Sequence, residues 1–151
     1  MRRCKIDAHK IYSDDKWVTN GHVAVLKAVA GRLPGKPFAK YMGNGTYFAG
    51  SFTNGTCPNI QQVIPNESPV DLEITENARV TNTTNFETVA IELRAKDGSF
   101  SVWVSLDFVA ILALGREIQA PRPATNRKIC TYPVVVKDAG EVLAVIMPIR
   151  I

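Results

Sequence analysis

Hydrophobic and polar positions alternate most clearly over Phe86 to Arg94, where Val89, Ile91 and Leu93 stand against Thr88, Ala90, Glu92 and Arg94. A period of two marks a half-buried strand, and Lys96-Asp97-Gly98 turns it towards a second extended run, Phe100 to Val104. Val142 to Met147 is an unbroken apolar run before Pro148, which reads as a strand buried on both faces that ends where proline removes a donor. Asp138-Ala139-Gly140 turns it back from Val134–Lys137.

Earlier in the chain the pattern predicts strands over Lys5 to Tyr12 and Lys16 to Val18, a Thr19-Asn20-Gly21 hairpin turn, and a strand from His22 to Val29. Residues 31–45, rich in Gly, Pro and Lys, read as a long loop. Thr46 to Thr53 reads as a short strand, and Cys57 to Pro65 as a connector with one helical turn bracketed by prolines. Asn66 to Asn85 is polar, with a strand expected only over Val70 to Ile74.

Ser105 suits an N-cap, Asp107 the first turn and Gly115 the C′ position of one helix, whose Phe108 to Leu114 stretch is apolar all round and so expected to be buried. A Pro/Arg loop over Pro121 to Arg127 and a strand over Lys128 to Thr131 complete the series. The expected class is α+β, strand-rich, with one clear helix and a mostly antiparallel sheet. Residues 1–151 are expected to form one compact domain or two small lobes, 1–65 and 66–151.

Charge changes the picture. Residues 1–40 carry nine Lys/Arg against three acids, whereas residues 66–97 hold seven acids and three bases, so the basic part is the one suited to phosphates. Arg2, Arg3, Lys5, Lys10 and Lys16 are the candidate DNA contacts, weighed against a merely solvated basic face. Cys4, Cys57 and Cys130 are widely spaced and odd in number, which favours reduced thiols in a cytoplasmic protein over a disulfide framework or zinc site. No secretory leader or membrane-spanning run is expected, and no cofactor or metal.

An enzyme is disfavoured. His9 with Asp7, or His22 with Asp14 and Asp15, would have to be the acid–base pair, and Cys57 the nucleophile. No Gly-x-Ser-x-Gly, P-loop or ligand-spaced His/Cys cluster supports any of them.

Four pieces then line up in order: Trp17-Val18-Thr19-Asn20-Gly21-His22-Val23-Ala24, Asn54 to Pro65, Ser105 to Leu114, and Val134 to Ala139 with Val145-Ile146-Met147-Pro148-Ile149-Arg150-Ile151. Together they resemble the later part of the bacterial DNA polymerase sliding clamp, the β processivity factor. The resemblance implies a DNA-clamp-like fold and a cleft that takes short hydrophobic peptides of DNA polymerase or other clamp-binding proteins. Carried over, the cleft is lined by Thr19, Gly21, His22, Ala24, Pro58, Gln62, Val63, Leu106, Val145, Met147, Pro148, Ile149 and Arg150. It also implies a homo-oligomer around double-stranded DNA in replication.

The chain departs from the family at Asn20, Val23 and Gln61-Gln62, where the family has Asp, Arg and a basic pair. On this resemblance the family's first domain is expected to have no counterpart among residues 1–151, and the expected helix from Ser105 to Leu114 carries no basic residue. Two functions therefore stand side by side. One is a reduced clamp, of phage or mobile-element type, that tethers a polymerase. The other is a clamp-derived peptide-binding adaptor or decoy that does not encircle DNA.

Overall fold

The computed structural model describes residues 10–13, 15–19, 22–30, 32–33, 51–52, 59–65, 69–82, 87–123 and 132–149. Up to residue 65 the chain contains β1 (Lys10–Ser13), β2 (Trp17–Thr19), β3 (Val23–Leu26), α1 (Lys27–Ala30), β4 (Ser51–Phe52) and α2 (Ile60–Val63). All four residues of β3 are buried, so neither face of that strand can take a charge. The strand therefore ends at Leu26 rather than continuing to Val29. One helical turn then points Lys27 to solvent and returns Val29 and Ala30 to the core.

It continues with β5 (Pro69–Asn82), β6 (Glu87–Ala95), β7 (Ser101–Ser105), a 3-10 turn (Leu106–Phe108), α3 (Val109–Leu112), β8 (Glu117–Pro121), β9 (Val134–Asp138) and β10 (Glu141–Ile146). The strands form one sheet in the order β4-β1-β2-β3-β10-β9-β8-β5-β6-β7. Every pairing is antiparallel except β1 with β4. Strand β10 lies between β3 and β9: Val145 faces Ala24 on one side and Val135 on the other. One cluster of buried side chains runs from Trp17 and Val25 through Leu93, Val102 and Ile111 to Ile146. Each such aliphatic side chain removed from water contributes about 1.5–3 kcal/mol.

Three further expectations change. Strand β5 is far longer than Val70 to Ile74, because the alternating β6 supplies partners as far as Asn82 despite the polar composition of β5. Strand β8 was not expected at all. Its Ala120 is buried in the core and Ile118 packs partly buried against it, alternating with Glu117 and Gln119, and the strand pairs with both β5 and β9. The expected helix is only the 3-10 turn followed by α3, and it is not buried all round: Ile111 and Leu112 face inward while Leu106 and Val109 are exposed. Its start is as read from sequence, with the Ser105 hydroxyl accepting from the Asp107 N–H at 3.2 Å.

Strand β5 also bulges. Its register to β6 shifts between Ile74 and Ala78, and the Glu92 carboxylate spans the irregularity, accepting from Thr75 Oγ1 at 3.0 Å and Asn77 Nδ2 at 2.9 Å.

At the β9–β10 turn, Ala139 has φ 50° and Gly140 φ 81°. Two successive positive φ values match the twist of a two-residue hairpin, but alanine is strained there. Ala139→Asn is expected to raise stability by about 0.5–1 kcal/mol. The check is a higher urea midpoint; an unchanged or lower one would remove the strain argument.

Candidate peptide-binding surface

The surface is built around the three residues that follow β10. The Met147 N–H donates to the His22 C=O at 2.8 Å, extending by one step the pairing of Ile146 with Val23. Pro148 has no N–H and ends the ladder. Beyond it the Ile149 N–H donates to the Trp103 C=O at 2.7 Å. The segment is thus fixed on one side of the proline to the start of β3 and on the other to the edge strand β7, bridging strands that lie at different places in the sheet.

The sequence-predicted lining residues divide by exposure. Thr19, Ala24 and Val145 are 2–3% exposed, so they offer no surface to a ligand and instead form the floor. This corrects their reading as cleft wall: β3 and β10 are covered on both faces, as their burial patterns show. The Thr19 hydroxyl is engaged, donating to the Val23 C=O at 2.8 Å.

The accessible members are His22, exposed beside the tail, and Met147 at 40%, with Pro148 and Ile149 half-buried. Leu106, 42% exposed, follows directly on β7, the strand that holds Ile149. Val63, 44% exposed, and Gln62 stand on α2, which is anchored in the core by Ile60. No strand pairing or hydrogen bond among the described residues ties Gln62 or Val63 to the tail. Gly21, Pro58 and Arg150 lie outside the described residues, as do Arg2, Arg3 and Lys5 of the candidate DNA contacts. Lys10 opens β1, and the exposed Lys16 holds its ammonium 5.7 Å from the Trp17 ring centroid.

Further exposed apolar side chains were not named from the sequence. Val109 on α3 follows Leu106 by three residues, and Val80 faces Val89 across β5 and β6. Val89 was legible as a member of the inward row of β6, but not as an exposed one. His9, Asp7, Asp14 and Cys57 lie outside the described residues. Among the described residues no group of three or more His, Cys, Asp or Glu side chains is placed to hold a metal.

One charged group away from this surface has a structural role. The Asp97 carboxyl is held well below the usual carboxylate range by the Ser99 hydroxyl, then by Arg122 and the Ser99 N–H. Arg122 also donates to the Ser99 hydroxyl and lies over the Phe100 ring, which ties the β6–β7 turn to the end of β8. These groups are exposed and act on local geometry.

Compared with known proteins, the chain matches no family model, no curated protein and no solved structure. No helix among the described residues is long and apolar enough to cross a membrane.

Proposed function

We propose that this chain is a sliding-clamp-like protein that captures short hydrophobic peptides of replication or repair proteins and tethers them to DNA as an oligomer. The observation that carries the reading is the Met147–His22 backbone bond. It sets an exposed methionine next to an exposed histidine, with the Pro148–Ile149 segment leading on to β7 and Leu106. Methionine is unbranched and polarizable, so it adapts to several apolar anchors, while backbone groups fix an extended ligand. The resemblance at Trp17–Ala24, Ser105–Leu114 and the Val145–Ile151 end supplies the class of partner.

The test is fluorescence polarisation of a labelled Gln-x-x-Leu-Phe peptide against the intact chain. Binding in the micromolar range is expected. Met147→Ala removes an exposed anchor and is expected to weaken it about tenfold, the loss of roughly 1.4 kcal/mol. No detectable binding by the unaltered chain would end the proposal.

A second reading, an adaptor or decoy that holds the same peptides without encircling DNA, is favoured by one observation. The 3-10 turn and α3 together present no Lys or Arg. A ring needs cations aimed at phosphates. Mass in solution separates the two: a monomer at micromolar concentration supports the adaptor.

A further inference from the structure

Of the large apolar side chains exposed among the described residues, Met147 alone carries sulfur; the others are Val, Ile, Leu and Tyr. Its thioether is open to solvent, the residue being 40% exposed. The chain is fixed on both sides of it. The Met147 N–H is held by the His22 C=O, and past Pro148 the Ile149 N–H is held by the Trp103 C=O. Ile146, just before it, is fully buried. A change in the polarity of this side chain therefore stays in the surface, because the backbone has no free play to carry it away.

Its position also decides what such a change would harm. An oxidised methionine inside a core disrupts the packing. Met147 stands outside the buried cluster that holds Val145 and Ile146. A polar oxygen on its sulfur meets water in the free protein and costs the fold little. It is stripped of that water only when an apolar partner covers the surface. Oxidation here acts on binding and spares the fold.

We propose that Met147 is a redox-sensitive modification site, converted by hydrogen peroxide to the sulfoxide, and that this conversion lowers the affinity for hydrophobic peptides. The proposal rests on the peptide-binding reading above and adds its regulation. In the forward step the sulfur attacks one oxygen of peroxide and the O–O bond breaks. That oxygen stays on sulfur and its proton passes to the departing hydroxide, which leaves as water. Sulfur loses two electrons and peroxide gains them. A methionine sulfoxide reductase reverses the step: two thiols supply the electrons and become a disulfide, and the oxygen leaves as water. The sulfoxide is polar and chiral where the thioether was apolar and adaptable, so a Leu or Phe anchor loses its contact.

The test treats the intact chain with hydrogen peroxide and follows three readouts on the same samples. They are polarisation of the labelled Gln-x-x-Leu-Phe peptide, the mass of the tryptic fragment from Asp138 to Arg150, and the urea midpoint. The fragment is expected to gain one oxygen and the affinity to fall about tenfold, as for loss of an anchor, with no movement of the midpoint. Cys4, Cys57 and Cys130 can also be oxidised, and a thiol reductant alone restores reversibly oxidised cysteine. It is expected to leave the loss in place. Adding methionine sulfoxide reductases for both epimers is expected to restore the affinity and remove the oxygen together. In Met147→Leu, whatever its starting affinity, peroxide is expected to change nothing. A chain that binds equally well before treatment and with the fragment oxidised overturns the proposal while leaving the peptide-binding reading intact. So does a loss that thiol alone restores, one that appears in Met147→Leu, or one that comes with a lower midpoint. An untreated chain that binds no peptide ends both.

Discussion

Gly115→Ala is expected to destabilise the protein by about 3 kcal/mol, at the upper end for a single added methyl group. A Cβ there would stand 2.9 Å from the Lys137 carbonyl carbon and Val136 Cγ1, and closer still to the Lys137 carbonyl oxygen. The obstructing atoms are mostly backbone, in a strand paired on both sides, so β9 cannot retreat without disturbing β8 and β10. Read from sequence, Gly115 was a helix C′ residue chosen for a left-handed backbone. The structure gives another reason: among the described residues the positive-φ glycines are Gly98 and Gly140, and each has open space where a Cβ would go. At Gly115 the constraint is room. Urea denaturation checks it, and a midpoint shift worth less than about 1 kcal/mol would mean that the chain after α3 can move away from β9.

The second large effect is at Glu92, a carboxylate only 7% exposed. It accepts from Thr75, Asn77 and Arg94 on one oxygen, at 2.9–3.0 Å, and from Ser101 on the other at 2.8 Å. Glu92→Ala leaves these donors without their acceptor beside a bulge they hold in place, and is expected to lower stability by about 3 kcal/mol. The pH dependence follows from the same contacts. Burial raises the carboxyl's affinity for a proton, but hydrogen bonds from Asn77, Ser101 and Thr75, with the Arg94 charge, outweigh it and leave the folded value below 4.5. A depressed folded value means stability that is complete above the unfolded value and is lost as pH falls through the folded one. Unfolding midpoints of the unaltered chain should therefore drop more steeply between about pH 5 and about pH 3 than those of Glu92→Gln. Parallel curves would show that the carboxylate's ionisation is not linked to folding.

What could be read from the residues depended on whether the signal was local. The strand β6, the turn at Asp138–Gly140 and the Ser105 cap are each written within a few neighbouring positions and each appears where expected, but β6 is not half-buried: Ala90 and Glu92 are covered with Ile91 and Leu93, while Val89 is exposed. The far half of β5 was invisible because Thr75 to Asn82 has no apolar alternation of its own; its strand state is imposed by β6. Strand β8 was missed for a similar reason, being five residues long and ending at a proline that reads as loop.

For the candidate surface, the resemblance set the tail and the hairpin turn on one cleft, and in the structure the Met147 N–H donates to the His22 C=O. It could not tell which neighbours would be covered. Thr19, Ala24 and Val145 sit in strands buried on both sides, and no sequence period reveals that. The bond from Ile149 to Trp103 joins backbone groups from distant parts of the chain, which side-chain identity does not encode.

The position of β10 has a kinetic consequence. Ala24 must wait for Val145, more than a hundred residues later, before β3 gains its second neighbour. Until then β3 and β9 each present an open hydrogen-bonding edge to any other nascent chain. Such non-local closure makes refolding slow and late, in the range of milliseconds to seconds. During synthesis on the ribosome, the exposed edges persist until Glu141 to Ile146 have emerged, and that interval is when the protein is most open to aggregation and to chaperones.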